Sequence, residues 1–419
     1  MSTEGHPPGG PGDVVAVRGE ARAWLNQHWD PNLSLGTWWT KLVESGWGFP
    51  QHPPEWGGRD LSAAAAQAVA DEMETAGAYG PPRGIGTMMV APLLLELGTE
   101  DQKRDWLPGI LDGSSVWCQL FSEPDAGSDL AGLGTTAVAD GDQWIVNGQK
   151  VWTSGAHYAE RAILIARTDR EAKKHHGLTF FAIEMDQPGV ETRPLVQMSG
   201  DAEFNEVFLN DAVVPAANRL GELNGGWAVA LRVLSYERAS LDPEADAGIH
   251  GELDLTRPVE DYRSGRVDDG LRGFMPKGSE AWAMLRDVLD RTGAIEDPVT
   301  RQSAMAIYSW QQIARFTALQ AAAAVGTDGA AGPEGSLGKL ASTRSMRAWR
   351  DLTLGALGPA GLVAGDDGND RRVPRIALTV SGLSIAGGTD EIQRNIVGER
   401  VLGLPREPRA DHVPTERRT

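Results

Sequence analysis

The segment QWIVNGQKVW at residues 143–152 decides the fold, because apolar and polar side chains alternate along it. A repeat of two residues is typical of a β-strand that lays one face on a core. The dipeptide Asn147-Gly148 lies in the middle of the segment, and such a pair favours the positive φ angles of a type I′ turn. We therefore expect a β-hairpin here, within a middle β domain that covers residues 115–222.

The sequence on either side of this domain has the three- and four-residue periodicity of helices. Further strand patterns lie at 162–166, 178–185 and 203–209, the last continuing to Val214-Pro215. After the β domain, long helical patterns lie at 227–241, 299–325, 337–357, 372–385 and 391–402. The order helices, strands, helices argues against a doubly wound parallel sheet, in which the elements alternate. The pattern predicts an α+β fold.

Three domains follow from this order. We expect an N-terminal helical domain at 1–114, with residues 1–12 disordered, then the β domain at 115–222 and a C-terminal helical domain at 223–419. Residues 242–293 begin with a stretch rich in Asp, Gly, Pro and Arg that has no steady period. They are predicted to form an excursion from the last domain.

Composition excludes several classes of protein. Asp and Glu total 58 against 39 Lys and Arg, a net charge of −19 that repels nucleic acid and anionic lipid surfaces. One cysteine cannot form an internal disulfide, and the N-terminus lacks a secretory pattern, so we expect a cytoplasmic protein. No apolar stretch reaches the ~20 residues of a membrane-spanning helix. No H-E-x-x-H motif is present, and no metal site is expected.

Two long motifs carry the chemistry. The first is WCQLFSEPDAGSDL at 117–130, followed by NGQKVWTSG at 147–155, and the second is AGGTDEIQRN at 386–395, leading to ERVLGL at 399–404. In the second motif, Thr389 is placed to cap a helix whose free N–H groups suit an anion. Together these segments resemble the two signature regions of the acyl-CoA dehydrogenase family, and the resemblance extends over essentially the whole chain.

The resemblance implies a middle β domain between N-terminal helices and a C-terminal four-helix bundle, with FAD and an acyl-CoA thioester as cofactor and substrate. The flavin contacts that it implies are Phe121, Ser122, Gly127, Ser128, Trp152 and Ser154, with Thr389 and Glu391 at the adenine-nucleotide part. In isolation, the simpler interpretation would be that Phe121 and Trp152 are core aromatic residues and that Gly127-Ser128 is an ordinary turn. The implied reaction is α,β-dehydrogenation to the trans-2-enoyl-CoA, in which a carboxylate removes the α-proton.

The position of that carboxylate departs from the commonest family pattern. Many members have the catalytic glutamate directly before the Gly-Thr pair, where this chain has Gly387. A second branch of the family carries it on the first long helix after the β domain, and Glu237 matches that place. Gly387 would leave room for substrate, and Arg238 would orient the base or contact CoA.

Periodicity supports Glu237 independently. It shares a helical stripe with four apolar residues, Ala230, Val233, Leu234 and Leu241. Partial burial on such a stripe would raise the pKa of the carboxyl toward neutrality, as a base at pH 7 requires. The alternative role for this carboxylate is a structural ion pair with Arg238 or with an arginine of the bundle.

Electron-transferring flavoprotein is the acceptor implied by the resemblance, and the implied assembly is a homotetramer or a heterotetramer with a related subunit. Two alternatives stay open. One is an acyl-CoA oxidase that passes the electrons to oxygen. The other is a non-catalytic subunit that completes a partner's flavin site, although the presence of Glu237, Trp152 and Ser154 argues against it.

Overall fold

The computed structural model describes residues 13–239, 251–267, 276, 278–324, 335–363 and 368–406. These residues divide into two compact units. The sheet unit contains the described residues up to Val233 together with 251–267, and the bundle unit contains those from Leu234 to 239 and from 276 onward. In the described part of the chain, no helix combines the length and apolar character needed to cross a bilayer.

The sheet unit begins with helices, as predicted. They are α1 (Val14–His28), α2 (Leu35–Ser45), α3 (Ala63–Thr75), α4 (Ala91–Leu97, after a π-helical turn at Gly86–Val90) and α5 (Glu100–Leu111). The side chain of Thr99 caps the backbone of Gln102, whose own side chain caps the backbone of Thr99. The buried indoles of Trp38 and Trp39 anchor the core of α1 to α3 by donating to the carbonyls of Tyr79 and Gly80.

One eight-stranded sheet follows, with strand order β6-β7-β3-β2-β4-β5-β8 and with β1 beside β4. The strands are β1 (Trp117–Leu120), β2 (Thr136–Asp140), β3 (Gln143–Ser154), β4 (Arg161–Arg167), β5 (Leu178–Glu184), β6 (Val190–Leu195), β7 (Phe204–Pro215) and β8 (Arg219–Leu220). The pairs β1–β4 and β2–β4 are parallel, and the other pairs are antiparallel. The predicted strands at 162–166, 178–185 and 203–215 are thereby confirmed.

The predicted hairpin at Asn147-Gly148 is wrong, because β3 runs straight through it and the hairpin turn lies at Gly141, with φ +62°. Asn147 instead exchanges two hydrogen bonds of 2.9 Å with Asp211, which bulges out of β7 with φ +54°. Gly148 faces Thr135 so closely that a Cβ atom there would lie 2.2 Å from the threonine hydroxyl. Asn147 and Gly148 are therefore explained by their contacts with Asp211 and Thr135, and not by a turn.

The bundle unit contains the long helices that the periodicity predicts. After α6 (Gly226–Ala239), whose last residues belong to this unit, come α8 (Gly278–Thr292), α9 (Pro298–Ala324), α10 (Gly335–Leu357), α11 (Gly368–Leu383) and α12 (Asp390–Ile396, continued by a π-helical turn at Val397–Val401). Helix α10 contacts α8, α9, α11 and α12. Its Trp349 is fully buried and donates to the carbonyl of Ala281 at 2.8 Å.

The segment predicted as an excursion has two different fates. Residues 251–267, with α7 (Val259–Arg263), pack on the N-terminal helices, where Val259 and Tyr262 join the core. Backbone hydrogen bonds of 2.8 to 2.9 Å join Leu35 to Arg257 and Val259 to Leu33. Residues 278–292 form α8, an amphipathic helix. It is not among the predicted helices, because the predicted excursion extends the irregular stretch before it to residue 293. Residues 240–250 and 268–275 lie outside the described residues, as do residues 1–12.

Candidate functional site

Trp152 is the most unusual residue of the sheet. Its φ is +61°, a region that bulky residues avoid, and its side chain is 56% exposed. The cause is a β-bulge, since Val151 and Trp152 together lie opposite a single residue of β7. Such backbone costs about 1–3 kcal/mol and collects at functional sites. An exposed aromatic ring held in strained backbone is typical of a ligand-contacting residue.

The first motif lies beside this bulge. The carbonyl of Ser122 accepts the amide of Val151 at 2.9 Å, which fixes the end of β1 against the residue before Trp152. Phe121 is buried edge-on against Phe180, with ring centroids 5.6 Å apart. The loop then turns back at Glu123–Ala126, and Gly127 and Ser128 lie exposed after it.

A buried ion pair supports this loop from behind. The Lys150 ammonium is fully buried and donates to the Glu123 carboxylate at 2.9 Å and to the carbonyls of Phe121 and Ile165 at 3.0 Å. The same carboxylate accepts the amides of Gly134 and Thr135. Burial lowers the pKa of Lys150 to about 8, so the ammonium remains mostly protonated at pH 7. Sequence reasoning missed this pair, although Lys150 shares the inward phase of Val146.

The residues after Trp152 are fixed by side chains on both strands. Thr153 is buried opposite Asn205, and Ser154, half-buried, ends β3 opposite Phe204. Gly155 follows with φ +66° under the ring of Tyr158, whose hydroxyl would lie 2.6 Å from a Cβ atom. Burial raises the pKa of Tyr158 to about 12, so its phenol stays protonated. Phe121, Ser122, Trp152 and Ser154 are thus held by one hydrogen-bonded framework.

Glu237 lies on α6 as the periodicity predicts. Ala230 and Val233 on its stripe are fully buried, and Leu234 and Glu237 are half-buried. Its predicted neighbour Leu241 and the side chain of Arg238 lie outside the described part of the chain. The side chain of Glu237 therefore continues an apolar stripe at a half-buried position.

The second motif forms the start of α12. Thr389 is the N-cap, and its hydroxyl accepts the amide of Ile392 at 3.2 Å, as expected. Gly387 and Gly388 adopt φ +64° and +86°, and the carbonyl of Gly387 accepts the side-chain amide of buried Gln393 at 2.6 Å. Glu391 is exposed and pairs with Arg394 at 3.2 Å. The motif is thus a glycine turn leading into a capped helix.

Asp390, which sequence reasoning missed, fixes this helix to α10. Its buried carboxylate accepts the Lys339 ammonium at 2.7 Å and lies 3.3 Å from the Arg347 guanidinium. Asp390 and Arg347 also line an open cavity of 320 Å³ whose other lining residues are Leu340, Arg344 and Arg394. Three arginines against one carboxylate give this cavity a net positive charge.

The predicted site residues therefore fall into two groups. The sheet unit holds Phe121, Ser122, Gly127, Ser128, Trp152 and Ser154, and the bundle unit holds Glu237, Gly387, Thr389 and Glu391. The first group offers an exposed ring and hydroxyl groups. The second offers a carboxylate and, beside Thr389, a positively charged cavity. The first group by itself suits an aromatic ring system, and the cavity in the bundle unit by itself suits an anionic group.

Comparison with known protein families gives three matches. The models of the N-terminal, middle and C-terminal domains of acyl-CoA dehydrogenases match residues 16–114, 118–212 and 278–402. The acyl-CoA dehydrogenase IpdE1 of Mycolicibacterium smegmatis is 36% identical over 95% of this chain and 92% of its own length.

Solved structures of other proteins share the fold. The steroid acyl-CoA dehydrogenase Tcur3481-Tcur3483 is 26% identical, with a TM-score of 0.69 over 94% of this chain and 98% of its own. The ChsE4-ChsE5 complex of Mycobacterium tuberculosis is also 26% identical, with a TM-score of 0.68 over 97% of this chain and all of the matched chain.

Proposed function

Because this chain belongs to the acyl-CoA dehydrogenase family, we propose that it oxidises the α,β bond of an acyl-CoA thioester to give the trans-2-enoyl-CoA. The observation that carries the proposal is Trp152, an exposed ring in strained backbone at the end of a rigid strand. Rings held in this way supply flat contact area, which a flavin requires.

FAD is the cofactor of the family, and when bound it supplies the acceptor for the hydride. We assign its flavin contacts to Phe121, Ser122, Gly127, Ser128, Trp152 and Ser154, and its adenine-nucleotide contacts to Thr389 and Glu391. Two features of the chain support the assignment: Phe121, Ser122, Trp152 and Ser154 share one framework in the sheet unit, and the cavity beside Asp390 is positive. The Ser154 hydroxyl is the proposed donor to the reactive edge of the flavin.

Glu237 is the proposed base. Its carboxylate takes the proton from the α-carbon of the thioester, the β-hydrogen leaves with its electron pair, and a carbon–carbon double bond forms between the two carbons. The half-buried position of Glu237 on an apolar stripe supports this role. Gly387 carries no side chain that could act as a base, and we propose that it leaves room for the acyl chain. Arg238 is proposed to orient Glu237 or to contact CoA.

The proposed substrate is a fatty or steroid-derived acyl-CoA. One structurally similar protein is a steroid acyl-CoA dehydrogenase, which supports this substrate class. We propose electron-transferring flavoprotein as the electron acceptor, and a tetramer as the assembly in which the sites are complete.

Anaerobic titration of the purified, FAD-loaded protein with a panel of acyl-CoAs tests the function. Straight-chain, branched and steroid-side-chain thioesters should be compared, because the preferred class should bleach the 450-nm flavin band at stoichiometric concentration. The matching enoyl-CoA should be recovered. If no thioester in the panel bleaches protein that retains its flavin, the proposal is wrong.

Pairing with a related subunit is the second possibility, and a specific observation favours it. Both solved structures above are named as combinations of two proteins. Expression with and without a related partner chain distinguishes the two arrangements, because a subunit that only completes a partner's site stays colourless alone.

An oxidase would instead form hydrogen peroxide stoichiometrically in air.

A further inference from the structure

The bulge that strains Trp152 ends at a cross-strand pair of buried residues. Lys150 pairs with Val207 and Thr153 pairs with Asn205, so two residues of β3 lie opposite Glu206 alone. At this point the regular exchange of backbone hydrogen bonds is interrupted, and the ladder alone does not fix the segment.

Asn205 satisfies the backbone there through its side chain. It is fully buried, and its amide nitrogen donates to the carbonyl of Thr153 at 3.0 Å and to that of Glu203 at 3.3 Å. The same nitrogen lies 3.2 Å from Nδ1 of His157. The carbonyl of Glu203 also accepts the amide of Gly155 at 3.3 Å. One side chain thus ties both strands together around Trp152, Thr153 and Ser154.

Few side chains can replace this contact. Aspartate has nearly the same shape but has no amide N–H, and its carboxylate would face two carbonyl oxygens in a buried site. Leucine would fill the space but would remove the side-chain donor from both carbonyls, so that the carbonyl of Glu203 would keep only the amide of Gly155. The requirement is therefore for a short side chain that donates two hydrogen bonds, which at this size is asparagine.

We propose that Asn205 is a positioning residue, which holds the strained Trp152–Ser154 segment in its ligand-binding conformation through the carbonyl of Thr153. The inference rests on the proposed function, because Trp152 and Ser154 are the proposed flavin contacts. Asn205 itself is buried under the bulge and acts only through this segment.

The test compares Asn205→Asp with Val214→Ala. Val214 is also fully buried on β7 but pairs with Trp144 at the far end of β3, so its truncation weakens the sheet without touching the bulge. Hydrogen exchange of residues 152–158 is measured on the flavin-free proteins, and FAD dissociation constants are measured by fluorescence. Asn205→Ser, which keeps a shorter donor, provides the partial rescue.

We expect N205D to speed exchange in 152–158 and to raise the FAD dissociation constant at least tenfold, with N205S between N205D and wild type. V214A should lower the thermal midpoint about as much as N205D does, but it should change the FAD dissociation constant less than twofold. Unchanged exchange in N205D and N205S, or faster exchange with unchanged FAD affinity, overturns the inference. If wild type binds no FAD, the proposed function fails, and exchange alone decides whether Asn205 holds the segment.

Discussion

In each unit, the described residues include a buried lysine–carboxylate pair next to a sequence motif, and the two pairs differ in what they bind. In the sheet unit, Lys150 meets Glu123 at 2.9 Å, and the pair contacts four backbone groups around the first motif. In the bundle unit, Lys339 meets Asp390 at 2.7 Å, and Arg347 provides a second cation to the same carboxylate.

The difference separates two uses of buried charge. The Lys150 pair supplements regular strand pairing, since it satisfies the carbonyl of Ile165 on β4 and the backbone groups of Phe121, Gly134 and Thr135 outside the strands. The Lys339 pair attaches α12 to α10, and the guanidinium of Arg347 is a second cation beside the same carboxylate. We therefore expect the sheet pair to be essential for the shape of its motif and the bundle pair to be partly replaceable.

Lys150→Met tests the first half of this comparison and should have the largest effect on stability. It leaves the buried carboxylate of Glu123 without its counter-ion and the carbonyls of Phe121 and Ile165 without their side-chain donor, which costs about 3–5 kcal/mol of unfolding free energy. Urea unfolding measures the loss. Adding Glu123→Gln should recover part of it, because the uncompensated charge is gone. A loss below ~1 kcal/mol in the single variant would show that the pair does not support the loop.

His52 sharpens the comparison, because it is a half-buried titratable group whose pKa is not shifted by such a carboxylate. Burial lowers its pKa to about 4, and a backbone hydrogen bond near Trp56 offsets only part of this effect. The unfolded chain, with a pKa of 6.5, therefore binds the proton first as the pH falls. Stability from this group is complete above pH 6.5 and decreases toward pH 4, by at most about 3 kcal/mol.

The measurement is urea unfolding between pH 7 and pH 4 for wild type and His52→Gln. Between pH 6.5 and pH 4, the unfolding free energy should depend less on pH in the variant. The difference should correspond to the uptake of about one proton on unfolding. Equal slopes in the two proteins would mean that His52 accepts its proton in the folded state.

Lys339→Met should have the smallest effect of the three. Arg347 remains 3.3 Å from Asp390, so the carboxylate keeps one cation, and we expect a loss of about 1–3 kcal/mol. Arg286→Met, which removes an exposed pair with Asp290 on α8, serves as the control and should cost less than ~0.5 kcal/mol. If Lys339→Met costs as much as Lys150→Met, the proposed difference between the two pairs is wrong.

The sequence predicts those parts of the fold that repeat locally. The alternation in 143–152 and the helical stripes of α9 and α10 come from neighbours in the chain, and both predictions are confirmed. The hairpin predicted at Asn147-Gly148 is wrong because Asn147 contacts Asp211 and Gly148 contacts Thr135. The sequence pattern does not show these contacts.

The candidate site shows the same limit. The resemblance identifies the exposed residues of the motifs. It does not identify the buried residues Lys150 and Asn205, because their contacts depend on the pairing of strands that are distant in sequence. Sequence periodicity gives the inward phase of Lys150 but not the carbonyls that it binds. The place of Glu237 on a half-buried stripe could be predicted, because a helical stripe is local.

The role of Glu237 is tested most directly by the rate of flavin reduction in an anaerobic stopped-flow experiment with the preferred acyl-CoA. Glu237→Gln is compared with Glu280→Gln, which alters a surface ion pair with Arg372 in the bundle unit. We predict that E237Q retains FAD but is reduced slower by a factor on the order of 10³, while E280Q stays within twofold of wild type. Reduction of E237Q within tenfold of the wild-type rate would contradict the assignment of Glu237 as the base.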